Sequence, residues 1–110
     1  MESVINEIDS ESLRERLKSG EDLLLLDIRT PAEVAQGAIP GAQTLPMHLL
    51  PLRLNELPKD QDLVLYCRSG ARSYQACAYL MQQGWGRVLN LRGGIIAWAR
   101  HGFEIGPPGP

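Results

Sequence analysis

The sequence holds only two cysteines, Cys67 and Cys77, in 110 residues. That is too few for the disulfide framework of a small stapled scaffold. No apolar run approaches the ~20 residues of a membrane span. The segment from Met1 to Asp9 lacks a basic stretch followed by an apolar one, so no signal peptide is read and the cytoplasm is the expected location. There are no internal repeats and no lysine cluster, and the two tryptophans lack basic neighbours arranged as a stacking stripe. Nucleic acid is therefore not an expected partner. The most informative absence is acid: residues 63–103 contain no Asp or Glu, yet hold Arg68, Arg72, Arg87, Arg92 and Arg100. Residues 1–62 carry twelve acids against six bases. A positive C-terminal half on an acidic chain suggests a site for a small anion; the alternative is a set of arginines scattered over the surface.

The length suits one domain, and a composition of 44% hydrophobic and 22% charged residues is that of a globular chain. Such a domain buries roughly 65% of the surface its unfolded chain exposes, enough for a core without staples. Short continuous apolar runs alternate with helical patterns. Leu23-Leu-Leu-Leu-Asp27, Leu63-Val-Leu-Tyr66 and Val88-Leu-Asn-Leu91 suit strands buried on both faces. Residues 10–18 space Leu13 and Leu17 for a helix, residues 72–83 place Ala76, Tyr79 and Leu80 on one side, and residues 94–101 do the same with Ile95, Trp98 and Ala99. Thr30-Pro-Ala-Glu33 is a capping box that starts a short helix, ended by Gly37. A strand is expected near Ala42–Leu45, and residues 47–57 read as one or two short helices interrupted at Pro51. Gly84 stops the helix before it. The alternation predicts an α/β domain with helices on both faces of a parallel sheet. The tail Gly106-Pro-Pro-Gly-Pro110 is expected to be flexible.

Cys67 falls where a buried strand ends, and a helix begins near Arg72 or Ser73. Sites in open α/β sheets form at the carboxyl ends of strands. The short connection Cys67-Arg-Ser-Gly-Ala-Arg-Ser73 contains Gly70 and can curl so that several N–H groups point inward as an anion-binding nest. The following helix adds its free N–H groups and the positive end of its dipole. A cysteine thiol has a pKa of about 8.5; making it mostly thiolate at neutral pH needs roughly 2.7 kcal/mol, which a helix N-terminus with adjacent arginines can supply in order of magnitude. These residues read as an activated cysteine nucleophile over an anion pocket, against the alternative of a structural cysteine at a strand end. Ser69 and Ser73 lack a partnered histidine, and neither His48 nor His101 sits in a triad or ligand pattern.

Cys67-Arg-Ser-Gly-Ala-Arg-Ser73 resembles the active-site loop of the rhodanese family. Leu25-Leu-Asp-Ile-Arg29 with Thr30-Pro-Ala-Glu33 and Gly37-Ala-Ile-Pro-Gly-Ala42 resembles the family's first motif, and Leu91-Arg-Gly-Gly-Ile-Ile-Ala-Trp98 its closing one. The likeness runs from about residue 4 to 105, leaving 106–110 as the tail. One departure is Ala38, where the family usually has histidine, which argues against a polar role there.

The resemblance implies a mostly parallel sheet of about five strands. It also implies a sulfurtransferase of thiosulfate or a related sulfane donor, working by ping-pong through a Cys67 persulfide. Arg68, Ser69, Gly70, Ala71, Arg72 and Ser73 would bind the small anionic donor, Arg72 also orienting the loop. The acceptor would be cyanide, a thiol or a sulfur-carrier protein, and neither metal nor organic cofactor is implied. Cysteine phosphatases and arsenate reductases resemble this loop but use a Cys-x5-Arg spacing. The Cys-x4-Arg spacing here implies sulfur as the transferred atom. A persulfide relay or regulatory module without turnover is the second reading, and a cysteine phosphatase or arsenate reductase the third. Asp27 is expected to accept hydrogen bonds that brace the loop, with Arg29 as its ion-pair neighbour or on the solvated surface. Glu33 reads as the capping-box residue. Gly93 and Gly94 allow a tight turn, Trp98 reads as core, and Tyr74 as either loop rim or packing. Cys77 is read as a small buried filler, the alternative being a resolving cysteine.

Overall fold

The computed structural model describes residues 4–108. Nine regular elements follow one another: β1 (Glu7–Ile8), α1 (Ser10–Lys18), β2 (Leu23–Asp27), α2 (Pro31–Ala35), β3 (Gln43–Thr44), β4 (Asp62–Tyr66), α3 (Ala71–Gln82), β5 (Val88–Leu91) and α4 (Gly94–Arg100). The strands form one sheet in the order β1-β5-β4-β2-β3, and every pairing is parallel. This is the α/β architecture with a five-stranded parallel sheet that the alternation and the resemblance imply.

The period-2 alternation of strand side chains divides the core in two. Leu63 and Leu65 of β4 face a cluster with Ala76, Cys77 and Leu80 of α3. Val64 and Tyr66 face the other, with Leu13 of α1 and Trp98 of α4. Helices therefore cover both faces, which is why the central strands read as unbroken apolar runs. The loop after β2 leads away to β3 on one side, and the loop after β4 leads to β5 on the other. The carboxyl ends of β2 and β4 thus border a crevice where ligands bind in open parallel sheets.

One buried tyrosine ties this end of the sheet together. The Tyr66 hydroxyl donates to Asp27 Oδ2 at 2.7 Å and accepts from the Ile39 N–H at 3.0 Å. Burial, with the Asp27 carboxylate beside it, raises the Tyr66 pKa and keeps the donor protonated. Tyr66→Phe would leave the Ile39 N–H unsatisfied away from water and take one of two donors from Asp27 Oδ2, which keeps Arg29. It is expected to cost about 2 kcal/mol in urea denaturation.

Two local expectations are corrected, and one strand is added. Residues 47–56 form 3-10 turns, Met47–Leu52 and Leu54–Glu56, and the interruption falls at Arg53 rather than Pro51. Proline's fixed φ suits a helical turn, whereas Arg53 leaves the helical region at φ −123°. The pairing of Glu7–Ile8 with β5 adds an edge strand that no periodicity announces. The C-terminal segment is also tied down one residue further than expected: Gly106 exchanges two 2.8 Å backbone hydrogen bonds with Ala38. Pro107 and Pro108 have no N–H with which to extend that pairing. Residues 109 and 110 of the tail lie outside the described residues, as do residues 1–3. Among the described residues no helix is long and apolar enough to cross a membrane.

Candidate active site

Cys67 directly follows β4 and is 1% exposed. Gly70 then takes φ +101°, which turns the chain back and opens α3. The result wraps donors around the sulfur. The Gly70 N–H reaches Sγ at 3.1 Å, the Ser73 N–H at 3.5 Å, and the Ser73 Oγ lies 3.4 Å away. Burial pushes the thiol pKa up, but hydrogen bonds from the Ser73 hydroxyl and from the N–H groups of Ser73, Gly70 and Ser69 outweigh it. The net direction is downward, toward thiolate. The N–H nest and the helix N-terminus expected from the sequence are both present. The largest single favourable contribution is the Ser73 hydroxyl rather than an arginine.

A second helix N-terminus grips the same loop from behind. The N–H groups of Ile95 and Ile96, in the first turn of α4, donate to the carbonyls of Cys67 at 3.0 Å and Arg68 at 3.2 Å. This approach is possible only because Gly94 has no side chain, since a Cβ there would lie 2.6 Å from the Cys67 carbonyl oxygen.

The two loop arginines differ. Arg72 makes a two-pronged ion pair with Glu33, at 2.8 and 2.7 Å. Glu33 also closes the capping box, accepting from the N–H and hydroxyl of Thr30, both at 3.1 Å. One carboxylate thus starts α2 and anchors the Cys67–Ser73 loop, a second role that the sequence reading did not give it. The Arg72 guanidinium holds the Glu33 pKa at about 2, against a usual 4.5. Arg68 is exposed and lines a cleft of about 300 Å³ with Glu33, Gly37, Ile95, Ile96 and Ile105. On the other side of the Glu33–Arg72 bridge, Met47, His48 and Pro46 border a second, more apolar cleft.

The Glu33 shift gives a pH test. Its folded pKa lies below the unfolded one, so its stabilisation is full above about pH 4.5 and is lost as pH falls through about 2. The pair is partly exposed, so Glu33→Gln is expected to lower stability by only about 1 kcal/mol at pH 7. Chemical denaturation of both chains from pH 7 to pH 2 should show that difference shrinking toward zero.

Asp27 and Arg29 form a buried pair rather than a surface one. Arg29 donates from Nε at 2.9 Å and from a terminal nitrogen at 2.7 Å to the two Asp27 oxygens. It also donates to the Gly37 carbonyl at 2.7 Å. No hydrogen bond links Asp27 to the loop among the described residues. Its support is indirect, because Arg29 holds the segment that presents Glu33 to Arg72. Ala71 opens α3, and Tyr74 is 44% exposed on the turn after the loop. Trp98 is buried, and its indole N–H donates to the Glu104 carbonyl at 2.7 Å. Cys77 is buried among apolar residues, and burial pushes its pKa up to about 12.

Two site residues were not singled out from the sequence, Asn90 and Glu7. Asn90 accepts from Ser73 and donates to Glu7. Its signal was available, since it is the one polar residue in the apolar run Val88–Leu91. Glu7 carries no such mark.

A cysteine held at a strand end by two helix N-termini, inside a loop of inward N–H groups, defines an α/β domain whose buried sulfur is set among hydrogen-bond donors. The sequence pattern of the rhodanese-like domain matches residues 9–101, and the chain belongs to that family. It is 74% identical over 105 residues to a sulfurtransferase of Allochromatium vinosum, covering 96% of this chain and 98% of the relative. A thiosulfate sulfurtransferase, GlpE, of Pseudoalteromonas translucida is 35% identical over 78 residues, 71% of this chain and 74% of that one. The crystal structure of a rhodanese-related protein from Thermoplasma volcanium superposes with a TM-score of 0.82 at 28% identity, covering 91% of this chain and 96% of that one.

Proposed function

We propose that this domain transfers a sulfane sulfur from thiosulfate or a related anionic donor to a thiophilic acceptor, through a persulfide on Cys67. The observation that carries this reading is the sulfur itself, held by N–H and hydroxyl donors that favour its anionic form. The Cys67 thiolate attacks the outer sulfur of thiosulfate, forming a new S–S bond. The original S–S bond breaks, and sulfite leaves with its electron pair. An acceptor thiolate or cyanide then attacks the terminal sulfur, and the bonding pair returns to Cys67 as thiolate. The same donors stabilise negative charge at the start and the end of the cycle. Arg72 is already paired with Glu33, so its part is to hold the loop. Arg68, exposed at the cleft, steers the anionic donor.

Incubation with thiosulfate is expected to add one sulfur, about 32 Da, to the peptide that holds Cys67. Failure to load from thiosulfate, a polysulfide or a low-molecular-weight persulfide would overturn the reading. Steady-state rates across a panel of donors and of acceptors, including cyanide, small thiols and carrier proteins, then identify the pair. Loading without turnover on any small acceptor would point to a relay between proteins.

A further inference from the structure

Asn90 is 2% exposed and makes three hydrogen bonds that fix its amide. Its nitrogen donates to the Gly70 carbonyl at 3.2 Å and to Glu7 Oε2 at 2.9 Å. Both partners are acceptors only, so the amide oxygen must be the atom turned to Ser73. That oxygen accepts from the Ser73 hydroxyl at 2.5 Å. Ser73 Oγ also lies 3.4 Å from the Cys67 sulfur. A hydroxyl has one hydrogen and here it has two acceptors, Asn90 and a thiolate. While its hydrogen points to Asn90, a lone pair faces the sulfur, an arrangement that suits a Cys67 thiol donating its own hydrogen. To stabilise the thiolate, the hydroxyl must turn and leave the Asn90 oxygen.

We propose that Asn90, oriented by Glu7, is a positioning residue that competes with Cys67 for the Ser73 hydroxyl hydrogen. It holds that hydrogen while the sulfur is uncharged and yields it when the thiolate forms. The inference rests on the reading that Cys67 is the nucleophile. The hydroxyl keeps its own hydrogen throughout, and the thiol proton goes to solvent. On attack the sulfur loses its charge to the new S–S bond, and the hydroxyl turns back to Asn90. The charged groups around the loop are Arg72 of α3 with Glu33 of α2, Arg29 with Asp27 at the end of β2, Arg68 on the rim, and Glu7 of β1 with Arg92 after β5.

The test is the pH profile of Cys67 alkylation by iodoacetamide, followed by mass spectrometry of the Cys67 peptide with no sulfur donor present. It reads thiolate alone, so failure of sulfur loading and failure of this proposal are separate results. Ser73→Ala is expected to raise the midpoint by about one pH unit, the equivalent of one hydrogen bond. Asn90→Leu is expected to lower it by about half a unit to one unit, because the hydroxyl then has the sulfur as its only acceptor. In a Ser73→Ala background the Asn90→Leu drop should vanish, since the two act through one hydrogen. A rise in Asn90→Leu, or an equal shift in both backgrounds, would reduce Asn90 to a support for the Gly70 carbonyl and overturn the proposal. If Asn90→Leu does not fold, Glu7→Ala at the partly exposed edge strand replaces it. A smaller drop that depends on Ser73 supports the proposal, and a drop of the same size without Ser73 overturns it.

Discussion

Cys67→Ser is expected to keep the fold and lose sulfur transfer by a factor on the order of 10⁴ or more. The fold should survive because the replacement is nearly the same size and stays among donors: the N–H groups of Gly70 and Ser73 can bond an oxygen as they bond the sulfur. The chemistry should not survive. A serine hydroxyl has no thiolate-like fraction near neutral pH, and among the described residues no histidine or carboxylate bonds to the Cys67 sulfur to activate a replacement oxygen. The measurements are circular dichroism with urea denaturation for the fold, and kcat/KM for thiosulfate for the reaction. Cys77→Ser is the matched comparison. It sits in the apolar core, so it should cost stability and leave the pH profile of transfer in place. Retention of transfer in Cys67→Ser would remove this cysteine from the mechanism.

Gly94→Ala should be the most damaging change outside the sulfur itself. Gly94 sits at φ +59°, where an alanine costs about 1–2 kcal/mol. The added methyl would also meet the backbone of Cys67 and Arg68, which cannot move aside as a flexible side chain could. Overpacking of this kind costs typically about 1–3 kcal/mol, giving a total of about 3 kcal/mol in urea denaturation. The functional loss follows from direction. The loop would be pushed off the first turn of α4 and would lose the hydrogen bonds from Ile95 and Ile96. A displacement of about 1 Å at the sulfur is worth about 10²-fold in rate. Gly102→Ala is the control, because Gly102 also has a positive φ, +76°, but faces open space. It should cost about 1–2 kcal/mol from backbone strain alone and leave kcat/KM near the parent value.

Much of the fold was legible because its signals are local. Leu23–Asp27, Leu63–Tyr66 and Val88–Leu91 are short apolar runs bounded by turn residues, and each became a parallel strand. The capping box at Thr30 states its geometry in four residues. The edge strand Glu7–Ile8 was not legible, since two residues carry no period and its existence depends on a partner 83 positions away. The loop from Cys67 to Ser73 was legible for the same reason as the capping box: the glycine, the sulfur and the helix start lie within one turn of chain. What supports that loop was not. Glu33 meets Arg72 across 39 positions, Ser73 meets Asn90 across 17, and Asn90 meets Glu7 across 83. Such pairings are made by the sheet order, and no spacing in a single sequence announces them.

The Gly106–Ala38 pairing bears on how the protein is handled. Ile105 lines the Arg68 cleft, and Pro108 lies three residues beyond it. A purification tag or fluorescent fusion joined after Pro110 would start five residues beyond Ile105, within about 18 Å of that cleft. It should obstruct a bulky acceptor protein far more than thiosulfate or cyanide, so a tagged chain could pass every small-molecule assay and still misreport its natural recipient.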